Sequence, residues 1–192
     1  MDSRIMDALE DRVLELGPTA VIGAYKNFKL TRDDDGIAWL LFDRAGSSAN
    51  TLSADVIEEL DTVLAALENQ RPAGLVIRSA KTSGFIAGAD VTEFRGATDP
   101  QPVETAIGRA HAVIDRHEGL KIPTVAVIHG FCLGGGLEVG PACQPRIPID
   151  GARCGLPAGV LWLHSGSGGT ARFTAVVKPC RAMRSRLTDD GA

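Results

Sequence analysis

No cluster of Lys and Arg stands out in this chain of 192 residues, and its formal net charge is −4. There is therefore no basic field for a nucleic acid, and an anionic ligand has to be held locally. No apolar segment runs long enough to span a bilayer, and the start, Met1 to Glu15, is too charged for a secretory signal. A cytoplasmic location with no membrane partner is the simplest expectation. The four cysteines, Cys132, Cys143, Cys154 and Cys180, form no Cys-x-x-Cys pair and no zinc-type spacing with His. They read as reduced thiols, mostly packing residues, and neither a metal site nor a disulfide framework is expected. The phosphate-cradling pattern G-x-x-x-x-G-K-[ST] is missing, since no Lys follows Gly136, and no G-x-G-x-x-G arises there because position 139 is Val. Internal repeats and low-complexity linkers are also missing.

What is there has the balance of one globular domain: 44% hydrophobic and 23% charged residues, on a chain long enough to bury a core. Residues 1–27 read as an N-terminal appendage, in which Ile5, Leu9, Arg12, Val13 and Leu16 outline a short amphipathic helix stopped by Gly17-Pro18. From Phe28 to the end the pattern tightens into a core. Phe28 to Thr31 and Ile37 to Phe42 flank the turn Asp33-Asp34-Asp35-Gly36 and predict a hairpin. Ser53 is placed to cap a helix whose apolar face is Val56, Ile57, Leu60, Val63, Leu64 and Leu67, broken at Arg71-Pro72. Gly74 to Arg78 reads as a buried strand. A second helix carries Val103, Ile107, Ala110, Ile114 and His117 on one face and ends near Gly119.

Two stretches carry the chemistry. Gly84 to Asp90 is a strand end entering a turn of small residues, where a ligand can approach the backbone, and Asp90 is placed to cap a helix after it. The apolar run Pro123 to Ile128 leads into His129-Gly130-Phe131-Cys132-Leu133-Gly134-Gly135-Gly136-Leu137-Glu138, a strand, a glycine turn and a short helix. That layout aims backbone N–H groups at a ligand, and Glu138, three residues after Gly135, falls on the same side. A carboxylate beside amide donors suits acid/base chemistry on a carbonyl compound. His129 reads as a hydrogen-bonding residue at a strand end, and His164 as a loop residue. Beyond Glu138 the pattern degrades: Pro141 limits the helix to its first turn or kinks it, and Pro145 and Pro148 fragment the remainder. Gly155-Leu156-Pro157 and Gly166 to Thr170 read as turns, before a helix or two from Ala171 to Leu187 broken at Pro179.

Taken together, Asn50-Thr51-Leu52-Ser53, Phe85-Ile86-Ala87-Gly88-Ala89-Asp90 and the His129 to Glu138 stretch resemble, in this order and spacing, the crotonase (enoyl-CoA hydratase/isomerase) family. Within it the resemblance is to the hydratase part of bifunctional fatty-acid oxidation enzymes that also carry a 3-hydroxyacyl-CoA dehydrogenase. It covers Phe28 to Leu187 and implies an α/β fold, a crotonase-like spiral of ββα units, in a truncated form lacking the C-terminal helices. The implied activity is that of an enoyl-CoA hydratase/isomerase-like lyase of beta-oxidation. Its substrate is an acyl-CoA thioester, with no cofactor other than the coenzyme A of the substrate, and the assembly is a trimer-based homo-oligomer.

The resemblance also assigns residues. The N–H groups of Ile86 and Gly135 are the implied oxyanion hole for the thioester oxygen and Glu138 the acid/base group, with Ala87, Gly88, Ala89, Asp90, Leu133 and Gly134 lining the substrate. The family's second glutamate belongs in a Gly-Leu-Pro-Glu stretch that here reads Gly155-Leu156-Pro157-Ala158. Acid/base groups each contribute roughly a hundred- to ten-thousandfold, so Ala158 predicts weakened turnover with thioester binding retained. Pro141, Trp162 and Ser165 depart from the family as well. The alternative expectation is a non-catalytic acyl-CoA-binding module or an inactive oligomerising fragment.

Overall fold

Asp33 closes the hairpin that starts the described core. In the computed structural model, which describes residues 20–94, 98–139, 146–148 and 152–155, its carboxylate accepts from the Ile37 N–H and from the Trp39 indole N–H, both at 2.8 Å. The Trp39 bond, ahead of the backbone ones, holds this carboxyl below the usual range. The flanking strands β2 (Phe28–Arg32) and β3 (Ile37–Phe42) pair antiparallel from Phe28↔Phe42 to Arg32↔Ala38, as the turn chemistry predicts. Residues 20–24 correct the expected appendage: β1 (Ala20–Ala24) pairs antiparallel with β2 and forms the edge of the sheet. A strand of five residues in the run Ala20-Val21-Ile22-Gly23-Ala24 has too little alternation to be distinguished by pattern alone. The helix expected over Ile5 to Leu16 lies outside the described residues.

The first helix, α1 (Ala54–Gln70), buries the face its periodicity marks: Val56, Ile57, Leu60, Val63, Leu64 and Leu67. Its start differs in detail from expectation. The Ser53 hydroxyl donates to the Asp55 carboxylate instead of capping, and the Ala54 N–H goes to Glu93 at 3.0 Å. At the other end Arg71 takes a left-handed conformation, φ 44°, and Pro72 bars continuation. The second helix, α2 (Pro100–Glu118), starts at Asp99, whose carboxylate accepts from the Gln101 N–H at 3.0 Å, and ends at Gly119 as expected. Arg116 joins the two helices through Asp61 and Glu68, each at 2.6 Å.

Strands β4 (Gly74–Ser79), β5 (Gly84–Ile86), β6 (Thr124–Ile128), β7 (Phe131–Leu133), β8 (Arg146–Pro148) and β9 (Arg153–Gly155) distribute alternately between two sheets. The six-stranded sheet has the order β1-β2-β3-β4-β6-β8 and the three-stranded sheet the order β5-β7-β9, parallel throughout from β3 and β5 onward. Each visit to the large sheet is thus followed by one to the small sheet, with α2 returning the chain after β5 and the single turn α3 (Gly136–Val139) lying after β7. This alternation is the spiral of ββα units that the resemblance implies. Pro148 does not fragment the chain here: it ends β8, the outermost strand of this sheet among the described residues, in register with Ile128. Gly155 is the last residue of β9 rather than part of a turn. Among the described residues, no helix is long and apolar enough to cross a membrane.

Candidate active site

The three sequence motifs meet at the carboxyl ends of β5 and β7. Asn50 starts the arrangement. It is 1% exposed, and its side-chain amide donates to the Phe42 carbonyl at 3.0 Å, the Ser79 hydroxyl at 2.9 Å and the Phe85 carbonyl at 3.2 Å. Its own side-chain oxygen accepts the Arg44 N–H at 2.9 Å. Burial of so polar a group is stable only with its partners in place, so Asn50 locks the end of β3, the end of β4 and β5 to one another.

From Asn50 the chain runs beside the small-residue turn. Ala87 N–H donates to Asn50 O at 2.8 Å, Leu52 N–H to Gly88 O at 2.8 Å, and Asp90 N–H to Leu52 O at 3.0 Å. The last two bonds flank Ala89 and leave its N–H unused; among the described residues that N–H has no partner, and Ala89 is exposed. Gly88 makes the turn possible with φ +113°, a conformation L side chains rarely adopt. Asp90 is the cap its position predicts. Its carboxylate accepts from the Thr92 N–H at 3.1 Å and hydroxyl at 2.6 Å and pairs with Arg44 at 2.6 Å. The Thr92 hydroxyl, then Arg44, keeps this carboxyl below its ordinary range. The roles of Arg44 and Glu93 carry no motif; the one signal available was Asp90-Val91-Thr92, the spacing at which an Asp side chain meets the backbone two residues on.

The glycine turn packs onto this segment backbone to backbone. A Cβ on Gly136 would lie 2.7 Å from Ile86 O and 2.9 Å from Ile86 Cβ, so only glycine fits the approach. A Cβ on Gly88 would lie 3.5 Å from Leu133 O and 4.0 Å from Gly135 N. Gly134 N–H donates to Gly155 O at 3.0 Å, and Gly135 O accepts from Val139 N–H at 3.0 Å. The Gly135 N–H, like that of Ala89, has no partner among the described residues. Ile86 is placed differently: it is 2% exposed and pairs with Cys132 in the β5–β7 ladder. Glu138 is the third residue of α3. His129, just after β6, donates from Nε2 to the Lys81 carbonyl at 2.7 Å, in keeping with a hydrogen-bonding role. Pro141, Ala158, Trp162, His164 and Ser165 lie outside the described residues.

The profile of the family described as enoyl-CoA hydratase/isomerase matches residues 32–190. Among curated proteins, the fatty acid oxidation complex subunit alpha of Shewanella sp. (strain W3-18-1) is 40% identical over 166 residues, which is 85% of this chain and 24% of that protein. The protein of the same name from Shewanella amazonensis is 38% identical over the same share. The chain thus spans about a quarter of the length of these relatives. Among solved structures, an enoyl-CoA hydratase from Geobacillus kaustophilus superposes with a TM-score of 0.81 at 23% identity, over 88% of this chain and 64% of that one. An enoyl-CoA hydratase from Bacillus anthracis superposes with a TM-score of 0.75 at 29% identity, over 83% of this chain and 61% of that one.

Proposed function

The chain belongs to the enoyl-CoA hydratase/isomerase family, and from that premise we propose that it handles acyl-CoA thioesters of fatty-acid oxidation by stabilising a thioester enolate. The observation that carries the proposal is the pair of N–H groups, on Ala89 and Gly135, that have no partner among the described residues, where the turns after β5 and β7 meet. Two amides aimed at the thioester oxygen stabilise the charge that moves onto it, and losing one such donor typically lowers a rate by about a hundred- to a thousandfold. Gly135 is one donor, as its motif implies. Of Ile86 and Ala89, the better second donor is Ala89, because it is exposed and its N–H has no partner among the described residues, whereas Ile86 is buried in the β5–β7 ladder. Ile86 then acts through the backbone contact that seats Gly136. Ala87, Gly88, Leu133 and Gly134 form the backbone walls, and Asp90 with Arg44 holds the turn.

Glu138 is the proposed acid/base group. Ala158, where the family carries its second glutamate, supports a second reading of thioester binding with little turnover. Hydration of crotonyl-CoA decides between them. With catalysis, Glu138→Gln lowers the rate by about a hundred- to ten-thousandfold, and Ala158→Glu raises it. Equal rates for wild type and Glu138→Gln would remove Glu138 from the mechanism. The proposed working form is a cytoplasmic homo-oligomer needing no cofactor beyond the substrate's own coenzyme A.

A further inference from the structure

The described residues include two free cysteines, Cys132 and Cys154, and the small sheet sets them side by side. Strands β7 and β9 are parallel with Cys132 in register with Cys154, so both side chains project to the same face. The neighbouring pair meets on the opposite face, where the Arg153 guanidinium lies 5.9 Å from the centre of the Phe131 ring. Adjacent strands run about 4.8 Å apart, inside the roughly 4.4–6.8 Å between Cα atoms that a disulfide spans. The two thiols are close enough to shift each other's ionisation. Cys132 is fully buried, whereas Cys154 is partly exposed.

We infer that Cys132 and Cys154 are a dithiol modification site, at which a low-molecular-weight disulfide such as oxidised glutathione is reduced while the two thiols close an intrachain disulfide across β7 and β9. The inference is independent of the proposed function. Exposure makes Cys154 the attacking group. The contact with Cys132 lowers the Cys154 thiol, while the same contact and burial raise that of Cys132, so Cys154 is the more readily ionised of the two. Its sulfur attacks one sulfur of the disulfide, the S–S bond breaks, and one small thiolate leaves. Cys132, losing its proton to solvent, then attacks the Cys154 sulfur of the mixed disulfide and expels the second small thiolate. Two protein thiols are oxidised, one disulfide is reduced to two thiols, and the protons balance. The new bond pins β9 to β7 beside the Gly134 N–H to Gly155 O contact, at the base of the glycine turn.

The test uses the full chain with Cys143 and Cys180 replaced by Ser, incubated with oxidised glutathione, quenched by alkylation and mapped by mass spectrometry. The expected result is a Cys132–Cys154 cross-linked peptide, loss of alkylation at both residues, and a melting midpoint raised by several degrees and restored by dithiothreitol. Cys132→Ser is expected to stop at a glutathione adduct on Cys154, and Cys154→Ser to leave Cys132 unmodified in the folded protein. A lasting adduct on Cys154 with Cys132 still alkylated after unfolding, or no modification of either residue, overturns the inference.

Discussion

Replacing Gly136 by Ala perturbs the point where the two turns touch while adding a single methyl group. The new Cβ would sit 2.7 Å from Ile86 O, against an ordinary contact limit of 3.4 Å, so the backbones must separate by about 0.7 Å. Overpacking of this kind destabilises by about 1–3 kcal/mol, which a urea titration resolves as a lowered midpoint with unchanged slope. The same displacement carries Gly135, the adjoining residue, away from the Ile86 to Asp90 segment. Since a misplacement of about 1 Å can lower a rate by about a hundredfold, a displacement near 0.7 Å is expected to lower crotonyl-CoA turnover by at least about tenfold, or to weaken thioester binding if turnover is below detection. Gly108→Ala is the control: nothing lies within 4 Å of its Cβ, and it is in the interior of α2. It is expected to leave binding unchanged and to stabilise by about 0.5–1 kcal/mol. A Gly136→Ala protein with wild-type stability, binding and turnover would refute the close approach on which the site is built.

Asn50→Ala removes a buried hub of four hydrogen bonds and leaves the Phe42 and Phe85 carbonyls and the Arg44 N–H to find other partners. The expected loss is about 3 kcal/mol by urea titration, and a loss below about 1 kcal/mol would contradict its role. Asp90 and Asp55 have folded carboxyls below their ordinary values, Asp55 down to about 2 through the Ser53 hydroxyl and then Lys26. For groups depressed on folding, the stabilisation is fully present above the ordinary carboxylate range and is lost as pH falls through the folded value. The urea midpoint is therefore expected to decline below about pH 4, with a shallower decline for Asp90→Asn; parallel curves would count against the Arg44 and Thr92 contacts. Leu64→Ala, at a position with no exposure on α1, is expected to destabilise by about 2–5 kcal/mol by the same titration.

The elements that were legible are those whose pattern repeats over several turns or strand steps. The face of α1 from Val56 to Leu67 and the hairpin around Asp33 follow from periodicity and turn chemistry alone. Strands β7, β8 and β9 were not legible because each has only three residues, too few for a period, and two of them border prolines or glycines. They exist because an already formed neighbour offers a ladder to pair with. The site shows the same division. Gly135 and the small-residue turn are visible in the sequence, but which N–H in that turn stays unused depends on Asn50 and Leu52, far earlier in the chain, taking the N–H groups of Ala87 and Asp90. Local sequence cannot announce that allocation, which is why Ala89 emerges only from the hydrogen bonds.

The most direct measurement is the carbonyl stretch of crotonyl-CoA labelled at the thioester carbon, recorded by difference infrared spectroscopy on the bound complex. With the proposed donors at Ala89 and Gly135 polarising the C=O bond, the band is expected at lower frequency than in water and closer to the aqueous position in Gly136→Ala. A bound thioester whose band matches the aqueous one in the wild-type protein would contradict the oxyanion site.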